Sequence, residues 1–292
     1  MDKIRYVNPL TDFGFKKNFG DAEVMKAFLT DLLELSSEIK EIKHLDKERP
    51  AETQDGRGVV FDLLCETEDG SRFIVEMQKR RQKHFAERIV FYLSREIASQ
   101  GVKCGEIWDY SLLPVYGVFF MDFHLDEHEP LSLRTIEFVV RETGQVLTDK
   151  VKAYTLELPS YVNMPQENCK TRIDYWLYNL ANMETMKTDL KFKDKQPAFN
   201  VMERLSELSK LSREDSDKYF YELDYYRTIK NAEDYEYERR EKKGRDEGHA
   251  EGLKQGLEQG KLSVAKNMKR KGLDVALIAD VTGLNAEEIS KL

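Results

Sequence analysis

Apolar residues in this chain follow two different periods, and the changes between them mark out its elements. Val24, Ala27, Phe28, Leu32 and Leu35 recur at three- and four-residue intervals, with Asp31 the one acid in their stripe. A helix is therefore expected within residues 8–35, after the opening Asn8-Pro9-Leu10-Thr11-Asp12-Phe13-Gly14-Phe15-Lys16-Lys17. Residues 50–58 form a polar, glycine-containing loop. Two strand-like runs then follow, Val59 to Thr67 and Arg72 to Gln78, joined through Glu68-Asp69-Gly70-Ser71 as a hairpin. A helix is predicted from about Gln82 to Ser99, with Phe85, Ile89, Tyr92, Leu93 and Ile97 on one face and Gly101 as its stop. Pro114 to Phe123 is nearly all apolar and reads as a central strand. Further strands are expected at about Leu133–Arg141 and Lys152–Leu158, and helices from Cys169 to about Arg240. This order predicts an α/β fold: a mixed β-sheet flanked by helices, with a C-terminal helical extension.

The hairpin is where chemistry first enters. With a three-residue loop at Glu68-Asp69-Gly70, and Gly70 left-handed, residue i pairs with residue 138 − i, so Asp62 faces Glu76 and Val60 faces Gln78. Side-chain alternation then gathers Phe61, Leu63, Cys65, Phe73, Val75 and Met77 on one wholly apolar face, which must be core. The other face carries Val60, Asp62, Leu64, Ile74, Glu76 and Gln78. A two-residue turn would instead put the two acids on opposite faces. Two carboxylates at cross-strand distance repel and resist desolvation, and a cation between them relieves both effects. Oxygen donors suit Mg²⁺ or Mn²⁺, which lower the pKa of a bound water and polarise a phosphate. Gln78 can orient such a water but cannot carry its proton. The alternative is a solvated face whose acids bind nothing.

Composition narrows the classes. The hydrophobic fraction is 40%, no apolar run is long enough to span a membrane, and Met1-Asp2-Lys3-Ile4-Arg5 lacks a signal-peptide core. A cytoplasmic protein with no membrane partner is expected. Cys65, Cys104 and Cys169 are far apart and odd in number, which argues against disulfides or zinc thiolates. His124 and His128 stand four apart beside Pro130 with no third ligand in view, so a loop is favoured over a zinc site. The net charge of −8 has the wrong sign for a protein that coats nucleic acid. Any such binding must rest on local clusters, here Lys79, Arg80, Arg81 and Lys83 with Arg88 a turn beyond, and Lys16 and Lys17 from the first helix. A solvated helix start is the alternative for this run.

The tail differs in composition. Gly244, Gly248, Gly252, Gly256 and Gly260 recur every four residues in Glu-, Lys- and Gln-rich sequence. Each glycine costs a helix about 1 kcal/mol relative to Ala, so the segment is a poor isolated helix. Its spacing allows close helix approach and a homo-oligomer through the tail, with a flexible linker as the other reading. Beyond it, Gly272-Leu273-Asp274 opens a short helix through Val281, and Asn285 with Glu288 forms a capping arrangement for a last helix. That pair has helix-turn-helix order, yet the last helix is too short for a convincing major-groove reader, so a dimer or partner contact competes.

The run Phe61-Asp62-Leu63-Leu64-Cys65, Gly70, Phe73-Ile74-Val75-Glu76-Met77-Gln78 resembles the PD-(D/E)XK nuclease superfamily. It is closest in pattern to the superfamily's bacterial branch of recombination-promoting nucleases and transposases (Rpn-like). Asp12-Phe13-Gly14-Phe15-Lys16, Arg88 and Tyr92, Pro114-Val115, Glu157-Leu158-Pro159 and Asp174-Tyr175-Trp176-Leu177 extend the likeness over most of residues 8–260. The resemblance implies a restriction-endonuclease-like core at 1–160, a helical extension at 161–240 and a glycine-periodic tail at 241–292. It implies Asp62 and Glu76 as ligands of Mg²⁺ or Mn²⁺, with the Met77 carbonyl as a further ligand. Gln78 stands where the superfamily has its lysine, and no proline precedes Asp62. Asp12 is the candidate acid from the first helix, with Asp31 in competition.

The function expected is a metal-dependent endonuclease acting on DNA with low sequence specificity, linked to recombination or mobile elements. The alternatives are a non-catalytic DNA-binding or assembly protein on the same fold, and an RNA-directed nuclease. Binding led by phosphate contacts should weaken steeply between low and physiological salt; a titration by fluorescence anisotropy with a flat salt response would refute it.

Overall fold

The computed structural model describes residues 4–35, 39–49, 58–101 and 109–292, the Glu233 side chain apart. The loop expected at 50–58 lies almost entirely outside these residues, as does Cys104. In chain order the elements are α1 (Asp12–Phe19), α2 (Ala22–Leu32), β1 (Ile42–His44), β2 (Glu48–Arg49), β3 (Val59–Val60), β4 (Leu63–Thr67), β5 (Arg72–Gln78), α3 (Phe85–Ala98) and β6 (Val115–Met121). There follow β7 (Leu133–Glu137), β8 (Val139–Val140), β9 (Gln145–Val146), β10 (Val151–Glu157), α4 (Arg172–Asn182), α5 (Ala198–Ser206), α6 (Arg213–Arg270), α7 (Val275–Thr282) and α8 (Ala286–Ser290).

Six strands form one mixed sheet in the order β1-β4-β5-β6-β10-β7. β6 runs parallel to both β5 and β10, while β1, β4 and β7 pair antiparallel with their neighbours. The hairpin takes the three-residue loop: Leu63 lies opposite Val75, Leu64 opposite Ile74 and Cys65 opposite Phe73, with Gly70 at φ +83°. That φ lies where a side chain is strained, so the turn depends on Gly70.

Both faces of the sheet are covered. Phe15, Phe19 and Phe28 of α1 and α2 surround Phe120 of β6 at ring distances of 5.6, 5.0 and 5.1 Å, and Trp176 of α4 packs on Phe28. On the opposite face Phe85, Ile89, Tyr92 and Leu93 of α3 meet Leu64, Ile74 and Phe119, as the helix pattern required. The hairpin's second face is therefore a second core under α3 and not the solvated face of the alternative reading. One correction concerns Phe61. Alternation placed it with Leu63 and Cys65, whereas its side chain joins Leu64 and Ile74 under α3, with Tyr92 at a ring distance of 5.4 Å. The ladder breaks at Phe61 and Asp62, between β3 and β4, and such an irregularity shifts the facing of every residue before it.

Asp31 is a structural tie. Its carboxylate accepts from Trp176 Nε1 at 2.8 Å, Gln196 Nε2 at 2.6 Å and Arg172 Nη1 at 3.2 Å, joining α2 to α4. The Cα-level packing divides the chain into two units, Met1–Asp224 and Tyr225–Leu292. In the second unit, Ala265, Ile278 and Ile289 form a small core for the end of α6, α7 and α8. Gly283 closes α7 at φ +72°, and Asn285 and Glu288 form the expected capping box on α8. The glycine repeat is helical throughout within α6, supported by pairs such as Arg245–Glu241 at 2.7 Å and Lys243–Glu247 at 3.6 Å. No described helix is long and apolar enough to cross a membrane.

Gly14 explains part of the Asp-Phe-Gly-Phe-Lys motif. A Cβ there would lie 2.1 Å from the Asn8 carbonyl oxygen, inside the turn that Thr11 caps by accepting from Gly14 N at 3.0 Å. Gly14→Ala is expected to lose about 1–3 kcal/mol of stability through this overlap; urea unfolding matching the parent protein would contradict it.

Candidate metal centre on the hairpin

Alternation along β5 turns Glu76 and Gln78 to the α3 side, and both are buried, at 2% and 4% exposure. Asp62 stands just before β4, at the break in the ladder, and its backbone and side chain both reach β5 there. Its amide donates to Glu76 Oε1 at 2.8 Å, and its own Oδ2 accepts from the Met77 amide at 2.9 Å. The two acids are thus clasped reciprocally, each side chain bound to backbone beside the other. Gln78 Nε2 donates to Glu76 Oε2 at 3.2 Å. The break at Phe61 and Asp62 is what leaves these amides free of the strand ladder.

Cations flank the pair. Arg88 Nη2 comes within 3.5 Å of Glu76 Oε2, Nη1 donates to Gln82 Oε1 at 3.1 Å, and the guanidinium lies over the Tyr92 ring. From α1, Lys16 pairs with Asp12 at 2.7 Å. Asp62 feels Asp12, Lys16 and Lys79, the last in spite of alternation turning it from the Gln78 face. Of the other cations picked out from the sequence, Lys17 pairs with Asp215 at 3.2 Å, and Arg81 pairs with Glu127 at 3.0 Å and with the Leu125 carbonyl. Arg80 and Lys83 are exposed.

Burial is the main force on the acids. It pushes the Glu76 carboxyl up to about 8, with the Asp62 charge adding to it and the Asp62 amide and Arg88 opposing. Burial also raises Asp62, helped by Asp12 and opposed by the Met77 amide, Lys16 and Lys79. The donor set fits a hard divalent cation: two adjacent carboxylates, Glu76 buried and Asp62 partly so, with the Gln78 side chain alongside. Among the described residues, no group of three or more His, Cys, Asp or Glu side chains is placed to hold a metal, so two acids would be completed by carbonyls and water.

One buried charged cluster was not foreseen, although Glu157 entered the sequence reading through the resemblance. Glu157 lies in the same strand row as Met121 and Gln78, is fully buried, and meets His124 Nδ1 at 2.7 Å, the Leu125 amide at 3.3 Å and Arg134. His124 is therefore engaged with a carboxylate, while His128 is an exposed loop residue. Only the register across β5, β6 and β10 reveals the row; no spacing in the sequence carries it.

A carboxyl whose folded pKa exceeds its ordinary 4.5 takes up a proton on folding. Stability of the metal-free protein should thus fall as pH rises from about 4.5 to about 8 and level off above. Glu76→Gln should flatten that slope, and melting curves at pH 5.5 and 8.5 with equal differences in both proteins would refute the assignment.

Residues 9–248 match the family model described as PD-(D/E)XK nuclease family transposase. No curated protein and no solved structure matches the chain.

Proposed function

The chain belongs to the PD-(D/E)XK nuclease family of transposases, and we propose that it is a divalent-metal-dependent endonuclease that hydrolyses DNA phosphodiester bonds with little sequence preference, in the cytoplasm, in the service of recombination or mobile elements. The observation that carries this reading is the reciprocal clasp of Asp62 and Glu76, two carboxylates side by side with Glu76 buried and Asp62 partly so. An acid pair serving only the core would lower its energy by substitution to apolar residues, since buried like charges are destabilising.

In this reading Asp62 and Glu76 hold Mg²⁺ or Mn²⁺, with the Met77 carbonyl as a further ligand. The bound ion supplies an acidified water and a polarised phosphate. Gln78, held against Glu76, orients the water through its amide without taking a proton. Phosphates of the DNA strand meet Lys79, Arg80, Arg81 and Arg88 beside the acids and Lys16 and Lys17 on α1. Such contacts position the backbone and read no sequence. The tail joins copies of the chain: nothing lies within 4 Å of a Cβ built at Gly244, Gly248, Gly252, Gly256 or Gly260, and Leu253 and Leu257 are exposed beside them.

Plasmid nicking with Mg²⁺ or Mn²⁺ tests the site. The wild type should cleave, and Asp62→Ala and Glu76→Ala should each lose cleavage by a factor of at least about a hundred. Cleavage that survives both substitutions sinks the site. A wild type that binds DNA but cleaves in no metal establishes instead a binding or assembly protein.

A further inference from the structure

Attack of water on a phosphodiester releases a proton, and Gln78, held against Glu76, is an amide that cannot take it. A proton acceptor has to come from elsewhere, and the strand register points along one row. Gln78, Met121 and Glu157 lie opposite one another on β5, β6 and β10, three parallel strands about 5 Å apart. Phe119 and Met121 belong to the core under α3. Their row-mates Thr155 and Glu157 therefore face the same side of the sheet as Glu76 and Gln78. Glu157 stands two strand spacings, about 10 Å, from Gln78. Both are at the carboxyl ends of the parallel strands, where sheets of this kind take their ligands.

At that point Glu157 holds a histidine. Its carboxylate is fully buried and meets His124 Nδ1 at 2.7 Å, with the Leu125 amide and Arg134 as its other partners. A carboxylate only accepts, so Nδ1 carries the ring proton and Nε2 of the neutral ring keeps its lone pair. The His124 side chain is 28% exposed, so solvent reaches the ring that the buried acid orients. Its loop is anchored to the segments that flank the acids. The Asp122 amide donates to the Gln78 carbonyl at 3.0 Å, Phe123 packs on Phe85 at the start of α3, and Arg81 donates to the Leu125 carbonyl at 2.6 Å. Thr155 Oγ1, two residues before Glu157 on the same face, is buried with no hydrogen-bond partner among the described residues. A buried hydroxyl of this kind is ordinarily met by water.

We propose that His124, oriented by Glu157, is the base that takes the proton of the attacking water through one bridging water, an inference that rests on the nuclease reading above. The attacking oxygen bonds to phosphorus as the bond from phosphorus to the leaving oxygen breaks. The released proton passes to His124 Nε2, and the Glu157 carboxylate stabilises the imidazolium that forms. The leaving oxygen takes a proton from solvent, and the ring returns its own to solvent. Gln78 orients the water and His124 removes its proton, so the two side chains divide the work of a single base. Glu157 is a positioning residue in this scheme. The charged groups packed about the loop are Glu157 of β10, Arg134 of β7 and the Arg81–Glu127 pair.

The test measures plasmid cleavage by the full chain as a function of pH. His124→Gln should lower kcat about a hundredfold at neutral pH with KM unchanged. The fall of kcat toward acid pH should vanish with it, since no ring is left to protonate. Glu157→Gln still accepts from Nδ1 but lacks the charge that favours the imidazolium. It should lower kcat about tenfold and move the acid limb to lower pH, a shift that lost packing alone does not produce. His128→Gln, in the exposed part of the same loop, should leave kcat unchanged. Calorimetry with Mn²⁺ alone should give the wild-type affinity in His124→Gln; weakened binding makes the ring part of the metal centre and overturns the assignment. Normal kcat in His124→Gln, or a loss that leaves the acid limb in place, overturns the proposal and leaves the nuclease reading standing. A wild type that cleaves nothing defeats both.

Discussion

Two carboxylates that share a desolvated edge of a sheet repel each other, and Asp62 and Glu76 persist together because backbone amides clasp them. The Asp62 amide satisfies Glu76, and the Met77 amide satisfies Asp62. Hydrogen bonds to charged groups are stronger than neutral ones, but they do not remove the loss of hydration. The remaining imbalance shows as a Glu76 carboxyl pushed up to about 8. α3 covers the face that carries Glu76 and brings Arg88 to it, while the charges of Asp12 and Lys16 on α1 act on Asp62.

The clasp depends on two backbone irregularities. Gly70 sets the three-residue loop, and with it the register that pairs Leu63 with Val75, next to Asp62 and Glu76. The break at Phe61 and Asp62 then withdraws that stretch from the ladder and turns Phe61 under α3. A continuous strand would commit the Asp62 amide to a neighbour and leave Glu76 Oε1 without its donor. Local disorder of the ladder is thus part of what holds the acids in place.

Other buried acids in the first unit have a different character. Glu96 lies between Arg49 Nε and Arg72 Nη1, each at 2.8 Å, and Asp31 is bound by Trp176, Gln196 and Arg172. Glu157 has His124, Arg134 and an amide. These acids are supplied with donors from distant segments and tie those segments together. Glu76 sits beside a second carboxylate, and its guanidinium partner stays at 3.5 Å. That contrast sets Glu76 apart from the acids that tie distant segments together.

Much of this was legible in the sequence because it is decided over short distances. Strand alternation from Leu63 onward, the left-handed glycine at position 70, the apolar face of α3 and the Asn285–Glu288 cap depend on residues a few positions apart, and each appears as its local pattern required. The nearness of Asp62 to Glu76 is partly of the same class, since the turn at Gly70 fixes the register up to Leu63 and Val75, one residue away from each acid. The tertiary structure alone decided the rest. It buried the hairpin's second face, took Asp31 into the packing of α2 against α4, and aligned Glu157 with Gln78 across three strands. Burial and charge at a point are sums over segments tens of residues apart in the chain, and no local period records which segments those will be.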